Sequence, residues 1–166
     1  MHICETLAPS SLELRKEVFI VRAQTKAVDA ADEKRPIQPR VLLADDHGPI
    51  IERVTALLRS GFNVVGSVDN GRDLVSEAAR LQPDVIVLDI SMPGLTGIEA
   101  AQELREARST AKLIFLTVHE RVEFVRACLA EGALGYVVKS RLAVDLLPAI
   151  REALAGRRFI SPPVSR

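Results

Sequence analysis

RVLLADDH, residues 40–47, is an apolar run that ends in two adjacent carboxylates, Asp45 and Asp46. Its core, VLLA, does not alternate with polar residues. That pattern suits a strand covered on both faces, as in a parallel sheet. Two like charges at the end of a buried strand need a reason. Burying charge is costly unless it is paired or holds a metal. Adjacent carboxylates repel by ~1 kcal/mol in water and ~4 kcal/mol in a partly buried site at about 4 Å.

Outward from this stretch the chain alternates regularly. PIIERVTALLR (49–59) carries apolar residues at 50, 51, 54, 57 and 58, a helical stripe. NVVGSV (63–68) reads as a strand and GRDLVSEAARL (71–81) as a helix stopped by Pro83. DVIVLD (84–89) is a buried strand, and GIEAAQELREA (97–107) a helix of good helix formers. KLIFLT (112–117) is a strand, RVEFVRACLAE (121–131) a helix closed by Gly132, and GYVVK (135–139) a strand. LAVDLLPAIREALAG (142–156) is a helix that Pro148 should bend or shorten. Five strand–helix units predict a flavodoxin-like, doubly wound, five-stranded parallel sheet, (βα)5, with right-handed crossovers. They are too few for an eight-stranded barrel.

In such a sheet, chemistry gathers at the carboxyl ends of the strands. The first strand ends in Asp45-Asp46, the third in Asp89, the fourth in Thr117 and the fifth in Lys139. Each alone has a plain reading: an Asp caps helices or forms turns, a Thr is structural, a Lys is solvated. Together three carboxylates, a hydroxyl and an ammonium converge on one edge. A divalent cation relieves the carboxylate repulsion, and Mg²⁺ takes hard oxygen ligands while leaving positions for water and a phosphoryl group. His47 at a helix entrance is read as solvated or capping. His119, two residues after Thr117, either influences water near the site or is a loop residue. These two histidines do not make a zinc site. Met92-Pro93-Gly94 reads as a loop shaping the site.

Composition excludes several classes. The 166 residues are 48% hydrophobic and 27% charged, typical of a globular protein. Lys+Arg and Asp+Glu are both 22, so no basic excess argues for nucleic acid. No apolar run approaches a membrane span, and MHICETLAPSS lacks the features of a signal peptide. Cys4 and Cys128 have no metal spacing; Cys128 reads as a small core residue. The default compartment is a reducing cytoplasm. Residues 1–39 read as a flexible extension, with one short apolar cluster, VFIV (18–21), and a polar stretch ending in two prolines. Residues 40–156 form the domain and 157–166 a tail or linker remnant.

VLLADDH, DVIVLDISMPGLTGIEA, LIFLT and GALGYVVK, in this order and at these places in the alternation, resemble the receiver domain of two-component response regulators. The resemblance covers nearly all of 40–163. VVG in the second strand, GYVVKS and AGRRFISP are most similar to the NarL/FixJ-type subgroup. It implies that Asp89 is the phosphoacceptor, with Asp45, Asp46, Asp89 and the Ser91 backbone carbonyl around Mg²⁺. It implies that Lys139 pairs with the phosphoryl oxygens and that Thr117 and Tyr136 are the coupled switch. The implied protein is no conventional enzyme but a phosphoacceptor that catalyses its own phosphotransfer and dephosphorylation. Its partners are a histidine kinase or phosphotransfer protein and a downstream protein, reached through the 121–155 face, with a homodimer as an option.

That subgroup usually continues into a DNA-binding helix-turn-helix. Here Arg166 follows Lys139 by 27 residues, so the expectation is a stand-alone receiver or a truncated chain without sequence-specific DNA binding. The alternative function is a phosphorylation-independent interaction or dimerisation module on the same fold. An aspartyl-phosphate phosphohydrolase is disfavoured because LDISMPG lacks the second Asp of an Asp-x-Asp motif. A nucleotide binder is disfavoured because ADDHGPI is acidic where a glycine-rich loop belongs.

Overall fold

A computed structural model describes residues 38–162. The extension read over 1–39 lies outside the described residues but for its last two, as do residues 163–166. The described chain runs β1 (Arg40–Ala44), α1 (Gly48–Leu58), β2 (Asn63–Val68), α2 (Gly71–Leu81), β3 (Val85–Leu88) and α3 (Gly97–Glu106). It continues through β4 (Lys112–Thr117), α4 (Val122–Ala130), β5 (Gly135–Val138), a 3₁₀ turn (Lys139–Arg141), α5 (Leu142–Leu154) and β6 (Phe159–Ile160). The strands form one sheet in the order β2-β1-β3-β4-β5-β6, and every pairing is parallel.

Continuous apolar strands are what this layering requires. Along β1 and β3, Leu42, Ala44, Ile86 and Leu88 face a core shared with α2, α3 and α4. Val41, Leu43, Val85 and Val87 alternate to the opposite core, shared with α1 and α5. Both faces are covered, so a polar residue on either would be buried without a partner. The strand ends are where polar groups are affordable.

The structure corrects two expectations. The sheet has six strands, not five: Phe159 and Ile160, in the segment read as tail, pair with Gly135 and Tyr136 on the edge of β5. Lys139 does not end β5 but opens the 3₁₀ turn that follows it. Pro148 lies inside the last helix, and α5 runs past it to Leu154. Its missing N–H leaves the Val144 carbonyl without an intrahelical donor. Burial of Leu142, Leu146, Ala149, Ile150 and Ala153 along one face offsets that loss.

The sixth strand is held by a polar cluster. Asp145 accepts two bonds from the Arg141 guanidinium, 2.7 and 3.1 Å, and one from the Ser161 hydroxyl, 2.6 Å. Arg141 holds the carboxyl below its ordinary value of 3.8, burial opposes, and Ser161 helps. A depressed folded value means stability that is complete above pH 3.8 and is lost as pH falls through the lowered value. Asp145→Asn is therefore expected to flatten the acid limb of the stability curve below about pH 4, read by urea midpoints across pH, with little change in shape near neutrality.

Candidate functional site

The end of each central strand positions one polar side chain. The Asp89 amide continues the ladder beyond β3, donating to Ala44 O at 2.8 Å, and the Asp45 amide donates to Val68 O at 3.1 Å. Both carboxyls are thus pinned at the sheet edge while nearly enclosed, Asp89 at 2% and Asp45 at 5% exposure. Asp46 follows on the exposed side.

The Asp89 carboxylate is oriented from two sides. Oδ1 accepts from the Ile90 amide at 2.7 Å, and Oδ2 from Lys139 Nζ at 2.8 Å. The same ammonium lies 2.7 Å from Asp45 Oδ2. Asp45 Oδ2 is buried, and this ion pair is what compensates its charge. Burial acts hardest on Lys139 and pulls its pKa down, yet the bonds and charges of Asp45 and Asp89 together outweigh it and the net shift is upward. The ammonium stays charged. One cation thus faces two buried carboxylates, with Asp46 beside them.

The charge imbalance fits a hard cation. Ligand atoms of Asp45, Asp46 and His47 lie within 4.8 Å of one another. The carboxylates of Asp45, Asp46 and Asp89 carry more negative charge than the one ammonium neutralises, and carboxylate oxygens suit Mg²⁺ better than softer metals. An open groove of about 470 Å³ beside Asp45 and Asp46 is lined also by Asp69 and Asp73, which adds negative charge on the approach. The sequence reading did not single out those two residues.

His47 does not cap α1 with its side chain. Its backbone N–H donates to Asp45 Oδ1 at 2.9 Å, and its Nδ1 lies 2.7 Å from Asp46 Oδ1. His119 is neither free nor fully exposed. Its ring stacks on Phe124 with centroids 4.1 Å apart, and Nε2 lies 2.9 Å from Ser91 Oγ. Its carbonyl accepts from the buried Tyr136 hydroxyl at 2.7 Å. Burial raises the Tyr136 pKa, which keeps the hydroxyl a donor. Thr117 is fully buried at the end of β4, and its hydroxyl accepts from the His119 amide at 3.3 Å. Asp45, Asp89 and Lys139 thus form one contact set, and Thr117, His119 and Tyr136 a second. Ser91 joins the second through His119, a link between loops 28 residues apart that spacing cannot announce. Cys128 sits in the core as read, its thiol pushed up to about 12 by burial.

The floor of the site depends on a close approach. Helix α3 begins with a capping box between Thr96 and Glu99, and Gly97 donates to Ile90 O at 2.9 Å. A Cβ on Gly97 would collide with the Asp89 carbonyl oxygen, which is backbone and cannot yield. Gly97→Ala is expected to cost more than about 2 kcal/mol, seen as a lowered denaturant midpoint.

The doubly wound sheet thus brings two buried carboxylates and one ammonium together at its carboxyl edge. Comparison with known proteins identifies the family. Residues 41–151 match the family model described as the response regulator receiver domain, and the chain belongs to that family. It is 36% identical over 129 residues to the response regulator GacA of Pseudomonas aeruginosa, an alignment covering 76% of this chain and 60% of that protein. The signal receiver domain of NarL from Mycobacterium tuberculosis superposes with a TM-score of 0.70 at 29% identity, covering 74% of this chain and all of that one. The isolated receiver domain of RcsB from Salmonella enterica, determined with the phosphomimetic BeF₃⁻, gives 0.71 at 27% identity, covering 78% and 97%. The chain spans about 60% of the length of the GacA proteins it matches. Among the described residues no helix is long and apolar enough to cross a membrane.

Proposed function

We propose that this chain is a phosphorylation-controlled switch with Asp89 as the phosphoacceptor. The observation that carries the reading is the Asp89 carboxylate itself, 2% exposed, aligned by the Ile90 amide and Lys139, beside the Asp45–Asp46 pair. Phosphoryl transfer asks chiefly for an in-line nucleophile and neutralised oxygens. An Asp89 carboxylate oxygen attacks the phosphorus of a phosphohistidine on a histidine kinase or phosphotransfer protein. The P–N bond breaks, its electron pair returns to the imidazole nitrogen, and an acyl phosphate forms on Asp89. Lys139 neutralises the phosphoryl oxygens. Asp45, Asp46, Asp89 and the Ser91 carbonyl would hold Mg²⁺, which would supply further charge neutralisation when bound. Attack by water later cleaves the acyl phosphate, releases inorganic phosphate and restores the carboxylate.

The added charge of the phosphoryl group and its strong acceptors draw the Thr117 hydroxyl toward Asp89. Thr117 shares its contacts with His119, and His119 with Tyr136, so the change propagates to the 121–155 face. That face meets a downstream protein or a second copy of the chain.

Incubation with acetyl phosphate and Mg²⁺, borohydride reduction of the adduct and peptide mapping test the reading. A single reduced site at position 89 supports it; no adduct, or one elsewhere, removes it. Asp45→Asn is expected to weaken Mg²⁺ binding by about tenfold or more in calorimetry, since it removes a buried metal-facing carboxylate.

A further inference from the structure

The cluster at β6 closes a ring around the turn that carries Lys139. Val138 N–H donates to Ser161 Oγ at 3.3 Å, and Ser161 Oγ donates to Asp145 Oδ2 at 2.6 Å. Asp145 is gripped by Arg141 Nε and Nη2, and Arg141 ends the 3₁₀ turn that Lys139 begins. The ring thus runs from Val138 through Lys139, Ser140 and Arg141 to Asp145, Ser161 and back. Inside it, only Lys139 reaches the acidic site.

The geometry points to a latch in which Arg141, Asp145 and Ser161 couple the pairing of the C-terminal strand β6 to the state of the Asp89 carboxylate, through the Lys139 turn. This rests on the phosphoacceptor reading, and it assigns positioning roles to three residues outside the site.

Three features carry it. The ring has little slack. Asp145 is 4% and Ser161 6% exposed, and the carboxylate accepts three bonds, so its members cannot shift singly without leaving a buried polar group unpaired. The strand it holds is weakly anchored otherwise. β6 has two residues, with Ile160 45% exposed, so its apolar burial is confined to Phe159, half-buried against the core on the α5 side. Its backbone is also held by the Phe159 and Ser161 amides, donating to Leu134 O and Tyr136 O at 2.8 Å each. Such an element opens at low free energy and is readily biased. Finally, Lys139 must re-partner when a phosphoryl group arrives. Its ammonium now divides itself between Asp45 and Asp89, and new phosphoryl oxygens compete for it. A backbone shift at Lys139 enters the ring at Val138 and Arg141 together. Because coupling is reciprocal, loosening the latch also alters the Lys139 position.

Hydrogen exchange at the Phe159 and Ser161 amides reads the latch in the full chain. Exchange is followed with and without beryllofluoride and Mg²⁺, the stable analogue of the acyl phosphate, in wild type, Asp145→Asn and Ser161→Ala. Protection of the α5 amides controls for folding, and intact mass after acetyl phosphate treatment reports separately whether the site accepts a phosphoryl group. The expected result is a change of about threefold or more at both amides in wild type, lost in both variants while α5 stays protected. A full response in the variants, or none in a wild type that takes the phosphoryl group, overturns the latch. If no adduct forms, the phosphoacceptor reading fails on its own. Lys139→Met, which needs no donor, then decides: exchange at the two amides shifts relative to the α5 amides if the turn and β6 are coupled and moves only in step with them if they are not.

Discussion

Asp89→Asn is expected to reduce phosphoryl transfer below detection, a loss of at least about a thousandfold. The amide has no nucleophilic oxygen at neutral pH, and no other carboxylate occupies its place. Asp45 is equally buried but is directed at Lys139 and the acidic groove, and Asp46 is exposed. The substitution should not unfold the protein. It removes one of two buried carboxylates that share a single ammonium, so Lys139 keeps Asp45 and the local charge imbalance falls. Loss of labelling with an unchanged or raised urea midpoint is therefore the expected pair of results. A lowered midpoint would mean that Asp89 is chiefly a structural partner of Lys139.

Lys139→Met carries the second large effect, and its two readouts separate its two roles. The side chain is 10% exposed and is the cation in contact with both buried carboxylates. Removing it leaves Asp45 and Asp89 uncompensated, a loss of about 3–5 kcal/mol by the behaviour of broken buried pairs. Divalent metal should return part of that stability, because it replaces the missing charge at the same oxygens. Phosphorylation of the metal-loaded variant should still be slower by about 10²–10³, the usual effect of deleting one preorganised group that faces developing charge. Urea midpoints with EDTA and with Mg²⁺, beside initial rates with acetyl phosphate, check both. Full-rate labelling in the variant would show that Lys139 serves folding alone.

Most of the fold was legible because both faces of the sheet are covered. Strands such as VLLA and VIVL must then be apolar throughout, and the helices between them carry one-sided stripes. The gathering of polar residues at one edge was legible for a related reason. A polar residue in such a strand can sit only at its end, so Asp45, Asp89 and Thr117 announce an edge where polar groups collect. What was missed depends on distant pairing. Phe159-Ile160 has no periodicity of its own, and it becomes a strand only because β5 offers an open edge. Lys139 was placed on a strand because GYVVK runs on smoothly; the turn beginning there is fixed by Arg141, Asp145 and Ser161. Arg141 and Asp145 have the i, i+4 spacing of a helical ion pair and could have been found. Ser161, 16 residues further on, could not. The Ser91–His119 contact has the same character, since two loops meet only once the sheet is assembled.

The most direct test of the central claim is the intact mass of the wild-type chain after incubation with acetyl phosphate and Mg²⁺, with and without EDTA. The account predicts one phosphoryl adduct per chain, labile on standing and absent with EDTA. An unmodified chain under conditions where Mg²⁺ binding is verified, or an adduct indifferent to EDTA, would contradict it.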